Sequence, residues 1–184
     1  MRTLTHYHFA KTLLPLLPPI PALKPAFLFG CVEPDINLLS HLDLDKQKKT
    51  AHLHGHNHPY LDQRIRRLIE KLTLNPNITP LYAFRLGVLL HYLADAFTFA
   101  HNTNFKGNFS AHNAYEKALH RYFEKRIQQI PKHFWQKSQP LRYHDLRKRF
   151  LAIKPSLARD FSFILLATRS ALYDFLPNHK TQET

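Results

Sequence analysis

The sequence predicts an all-α protein, and three observations carry that prediction. Glycine is scarce, at four of 184 residues; strand-like alternation is absent; and apolar residues recur with the period of a helix. Hydrophobic residues make up 44 %, which excludes a disordered chain, and no apolar run reaches the length of a membrane span. The chain is long enough to bury a substantial core, and no repeat or linker divides it. Residues 1–184 are therefore expected to form a single helical domain.

A first helix is expected near residues 4–15, closed by Pro15 and the Pro18-Pro19 pair, because proline lacks the N–H that a continuing helix needs. A proline-broken segment leads to FLFGCVEPD, with Asp35 on a turn after Pro34 and a short helix beyond it. Residues 40–58 are polar, with DLDKQKK and HLHGHNH, and read as a loop. From about Pro59 to Leu72, the residues Leu61, Ile65, Leu68, Ile69 and Leu72 share one helical face, and proline suits the first helical position. NPNITP makes a turn, and Pro80 opens a long helix over 80–101. HNTNFKGNFSAHN is a loop whose asparagines and Gly107 suit turn conformations. Helices follow near 110–130 and 155–176, with a shorter one at 141–150.

The N-terminal stretch MRTLTHYHFAKTLLPLLPPIPALKP places histidines first and cuts its apolar run with prolines. A signal peptide has an uninterrupted apolar segment and a small-residue cleavage site, so a cytoplasmic protein is expected. The lone cysteine, Cys31, allows no intrachain disulfide and reads as a small buried apolar residue. A net charge of +13 favours anionic partners: a phosphodiester, nucleic acid or an anionic membrane surface. The basic residues are dispersed over RIRRLIEKL, EKALHRYFEKRI and LRKRF, so solvation of helix faces accounts for them equally well.

Histidine is the anomaly. There are fourteen, and six of them (His52, His54, His56, His58, His91 and His101) fall within fifty positions. His91 and Asp95 stand four apart on the long helix, which puts both on one face. Their neighbours Leu89, Leu90, Leu93 and Ala94 are apolar, and a buried carboxylate without a partner is costly. A metal ion satisfies both residues. His112 and Glu116 repeat the spacing on the next helix, completing the pattern H-x3-D-x5-H-x10-H-x3-E. Each piece alone has a plainer reading as a packed residue or hydrogen-bonded pair, and His120, His133, His144 and His179 read that way. The conjunction favours metal. Nitrogen and carboxylate ligands without cysteine suit zinc best, with manganese or iron as alternatives, and the number of ligands fits two ions, or three.

FGCVEPD, LGVLLHYLADAFTFAHN and AHNAYEK resemble the zinc-dependent phospholipase C family of bacteria, whose helical fold is shared with single-strand-specific nucleases. The resemblance spans roughly residues 1–125. It implies that Asp35, His91 and a histidine of HLHGHNH hold one zinc, with His54 chosen and His56 close behind. It further implies that Asp95 bridges to a neighbouring zinc, and that His101, His112 and Glu116 hold the remaining one. His6 resembles the family's N-terminal helix histidine, with His8 as the competing choice. Secreted members use an N-terminal tryptophan, exposed by processing, as a further ligand. This chain begins MRTL and its only tryptophan is Trp135, so a third site is either lost or completed by water. Ala94 stands where secreted members usually have glycine, and Phe99 where they usually have proline.

The function implied is a zinc-dependent phosphodiester hydrolase resembling phospholipase C, with Asp35 both ligating metal and orienting the attacking water. A phosphodiesterase of the single-strand nuclease type and a non-catalytic metal-binding protein are the rivals. A small soluble phosphoester is a further candidate substrate.

Overall fold

The computed structural model describes residues 1–36, 42–45, 50–53, 58–135, 139–140 and 142–176. Seven α-helices lie among them: α1 (Thr3–Leu13), α2 (Leu23–Ile36), α3 (His58–Leu74), α4 (Pro80–Ala96), α5 (Phe109–Ile127), α6 (Tyr143–Ala152) and α7 (Leu157–Phe175). The predicted all-α class holds. The 40–58 loop needs correcting, because β1 (Leu42–Asp45) and β2 (Thr50–Leu53) pair as an antiparallel ladder, with Leu42 opposite Leu53. LDLD does alternate apolar and polar residues, but four positions are too few to stand out from the surrounding charge.

Helix α4 is the central element. Every residue from Leu86 to Ala96 is buried, as expected of a helix enclosed by its neighbours. It packs on α2, α3, α7 and α1. Its start is well defined: Thr79 Oγ1 accepts the Tyr82 N–H at 3.1 Å, and Pro80 takes the first helical position. The α2 interface is very close. A Cβ added at Gly30 would collide with the Phe84 carbonyl, and one at Gly87 with the Phe27 carbonyl.

Two sequence expectations change here. FLFGCVEPD is helical, within α2, so Asp35 sits in that helix's last turn rather than on a turn before a new helix. Pro25 falls in the first turn, where its missing N–H costs nothing, and Pro34 lies near the end. The long helix stops at Ala96 instead of 101, and a 3-10 turn covers Phe99–His101. Side chains capture the carbonyls that a continuing helix would have used. Thr98 Oγ1 donates to Ala94 O at 2.9 Å, Asn102 Nδ2 to Thr98 O at 2.6 Å, and Arg147 Nη1 to Ala96 O at 2.5 Å.

The remaining helices close the core. On α3, Leu61, Ile65 and Leu72 are buried, and Leu68 and Ile69 pack partly against them. Asn108 caps α5 by accepting the Ala111 N–H, and Ser156 caps α7 by accepting the Arg159 N–H. One apolar cluster runs from Met1 to Leu176, with Phe97, Phe150 and Phe163 in mutual ring contact. No helix among the described residues is long and apolar enough to cross a membrane.

Candidate metal centre

Five elements deliver histidines and carboxylates to one place. His6 comes from α1, Asp35 from the end of α2, and His91 and Asp95 from one face of α4. His101 ends the 3-10 turn after α4, and His112 and Glu116 lie one turn apart on α5. The seven fall into two adjoining groups. His6, Asp35, His91 and Asp95 form one, and His101, His112 and Glu116 the other, with ligand atoms inside each group within 4.8 Å of one another.

Asp95 joins the groups. Its Oδ2 lies 3.3 Å from His91 Nε2, and its Oδ1 lies 3.2 Å from His6 Nε2 and 3.9 Å from His101 Nε2. Asp35 Oδ1 is 3.5 Å from His91 Nε2. In the second group, Glu116 Oε1 is 2.9 Å from His101 Nε2 and 3.5 Å from His112 Nε2. Zinc bonds of about 2.0–2.2 Å in a tetrahedron place neighbouring ligand atoms roughly 3.3–3.6 Å apart. Most of these separations are already close to such edges. His91 is also oriented from behind, its Nδ1 lying 2.9 Å from the Cys31 carbonyl, as metal-bound histidines commonly are.

Between the groups stands a cation. The α-amine of Met1 is buried against Asp95 Oδ1, 3.0 Å from Glu116 Oε1 and 2.7 Å from His101 Nε2. A positive charge held there by two carboxylates and an imidazole shows that the donor set fits a cation. Met1 is the participant that spacing could not reveal, because its side chain carries no chemistry.

The electrostatics follow from burial and crowding. Burial lowers the His6 pKa to about 4, assisted by the charge of His91. Burial alone would lower His91 too, but Asp95 and Asp35 outweigh it and the net shift is upward. Burial opposes charge on the Met1 amine, yet Asp95 and Glu116 raise its pKa overall. For Asp95, burial works upward, and His101, the Met1 amine, His6 and His91 together hold it well below the ordinary carboxylate range. Glu116 is likewise held far down, its burial offset by His101 and the amine. Burial and His101 lower His112.

Access is uneven. The His6, His91 and Asp95 side chains are essentially sealed, whereas His112 is 30 % exposed and Asp35 and Glu116 are partly exposed. His8 faces outward from α1, and His120 lies two turns beyond His112 on α5. His54 and His56 lie outside the described residues. A cavity of ≈ 940 Å³ runs between α1 and α5, but its lining includes none of the seven residues.

A buried polar frame holds the turn that carries His101. Asp160 on α7 accepts the Phe99 N–H and the Tyr115 hydroxyl, each at 2.7 Å, and pairs with Arg159. Arg147 on α6 donates to Asn102 Oδ1 and to Ala96 O, each at 2.5 Å. The sequence offers little signal for these residues beyond an ionic pair inside an apolar helix.

Fold and site together define a helical protein with two histidine–carboxylate groups between its helices that could hold metal. The chain belongs to the zinc-dependent phospholipase C family, whose family model matches residues 5–160. No curated protein and no solved structure matches it.

Proposed function

We propose that the protein is a zinc-dependent phosphodiester hydrolase acting on a phospholipid-type substrate. The observation that carries this reading is the pair of adjoining ligand groups joined at Asp95. His6, Asp35, His91 and Asp95 would hold one ion, with His54 or His56 as a further donor. His101, His112 and Glu116 would hold the other, with Asp95 lying between the two groups.

Zinc bound there supplies Lewis acidity toward phosphate oxygens and lowers the pKa of water toward ~7. The chain's own residues do the rest. Asp35 is the one carboxylate of the first group that solvent reaches, so it orients the attacking water and accepts its proton. Asp95 stays ionised in its cationic surroundings and keeps the two groups in register. His112 and Glu116 border the open side, where the phosphate enters. Exposed apolar residues are near these in sequence: Ile36 follows Asp35 and is 64 % exposed, and Phe109, one turn before His112, is 81 % exposed. Exposed apolar residues so close in sequence to the ligand groups favour a lipid ester over a polynucleotide.

The test is hydrolysis of phosphatidylcholine, single-stranded DNA and bis-p-nitrophenyl phosphate, each with and without added zinc. Zinc-dependent cleavage of phosphatidylcholine is expected, with slower turnover of the small ester. Cleavage of DNA alone would assign the chain to the nuclease type. Inactivity of the zinc-loaded protein on all three would leave a metal-binding protein without catalysis.

A further inference from the structure

The cavity between α1 and α5 shares no residue with the candidate metal centre, and the ends of the two helices build it. On α1, His8, Lys11 and Thr12 fall on one face, and the 3-10 turn that follows adds Leu16. On α5 and its cap, Glu124, Ile127 and Gln128 repeat that spacing. Ile130 and the 3-10 turn Lys132–Trp135 supply the rest of the wall. We propose that this cavity binds a small amphiphile with an apolar chain and one anionic head, the chemistry of a fatty-acid carboxylate or an alkyl phosphate.

Size, lining and charge each point that way. The volume of ≈ 940 Å³ falls within the roughly 300–1,000 Å³ of small-molecule sites. Ile127 and Trp135 are buried members of the core cluster, and Leu16 and Ile130 pack partly against it. A hydrocarbon chain laid on these four is removed from water on a continuous apolar surface. Trp135 is held in place by edge contact with the Phe134 ring, at 4.9 Å between centroids.

The polar groups stand at the exposed side. Lys11 from α1 and Lys132 from the turn after α5 bring two ammonium groups to the same cavity, and both are exposed. Glu124 is the one carboxylate on the lining. Its Oε1 lies 3.3 Å from His8 Nδ1 and 3.4 Å from His120 Nε2, so it is engaged by two imidazoles. The lysines therefore set the charge that a ligand meets. A bare inorganic anion would use them and leave the apolar wall wet, and a neutral amphiphile would do the reverse. Only a ligand with both parts satisfies the whole lining.

The inference does not depend on what the central groups hydrolyse. Trp135 is the chain's one tryptophan, so its fluorescence reports on the cavity wall directly. The zinc-loaded full chain is titrated with dodecanoate and with dodecyl phosphate, both below micelle formation. Dodecyl maltoside and inorganic phosphate serve as the neutral and chainless comparisons. A saturable fluorescence change is expected with at least one anionic amphiphile, and the tighter of the two identifies the source of the head group. The double change Lys11→Glu and Lys132→Glu, at two exposed positions, should weaken that binding about tenfold or more. No saturable change with either anionic amphiphile overturns the proposal. So does equal affinity for dodecyl maltoside or inorganic phosphate, or unchanged affinity in the double variant.

Discussion

The imidazoles of His6 and His91 lie stacked, with ring centroids 3.9 Å apart and planes inclined by 19°. One ring comes from the first helix and the other from the middle of α4. At that distance both cannot carry a proton. The shifts divide accordingly, with His6 lowered to about 4 and His91 raised. A proton and a metal ion compete for the same position.

Zinc binding should therefore release protons. The Met1 amine is raised above an ordinary value already near 8, so it holds its proton at neutral pH in the metal-free protein, and Asp95 and Asp35 raise His91 as well. For His91, the stabilisation from its proton is present below about 6.5 and lost as pH rises through the higher folded value. Zinc affinity should move the opposite way and climb over that interval. Calorimetry in buffers of different ionisation enthalpy gives the proton count. A count of zero at pH 7 would contradict the assignment.

Asp95→Asn should lose metal and stability together. The carboxylate faces His91 with one oxygen and His6, His101 and the Met1 amine with the other. Removing one partner from a buried ionic cluster costs about 3–5 kcal/mol. Thermal unfolding with parallel elemental analysis tests this, and a variant with unchanged zinc content and Tm would show that Asp95 is not the joint.

Asp35→Asn should separate activity from metal. Asp35 is the more exposed carboxylate, at the end of α2, and the other members of its group are anchored without it. Turnover should fall by about 10²–10⁴-fold, the range of a lost acid–base group, with little loss of zinc. Retained activity alongside lost zinc would remove its proposed role.

The pairing of His91 with Asp95 and of His112 with Glu116 was legible in the sequence, because helical periodicity turns a spacing of four into a shared face. The same periodicity carries through Phe97 and Thr98, so the helix was expected to reach 101. It stops because Arg147 and Asn102, distant in sequence from its carbonyls or just past its end, take the hydrogen bonds instead. Asp35 was recognised as a candidate, but its place within α2 was not, since Pro34 reads locally as a breaker. The Met1 amine was invisible for a different reason: it is a backbone group whose role depends on where the chain folds.

The frame around His101 gives a test of that long-range control. Asp160→Asn weakens the buried pair with Arg159 and the grip on Phe99 and Tyr115, and should cost about 3–5 kcal/mol. Tyr115→Phe removes one donor and should cost about 1–3 kcal/mol. Chemical denaturation measures both. The smaller change should also weaken zinc binding in the second group, whereas a frame with no part in positioning His101 would leave zinc affinity alone.

The most direct measurement is the zinc content of the full chain after loading and removal of free metal. Two adjoining ligand groups joined at Asp95 predict at least two ions per chain, and a Tm that falls on strong chelation. Less than one ion per chain, with a Tm indifferent to chelation, would contradict the account.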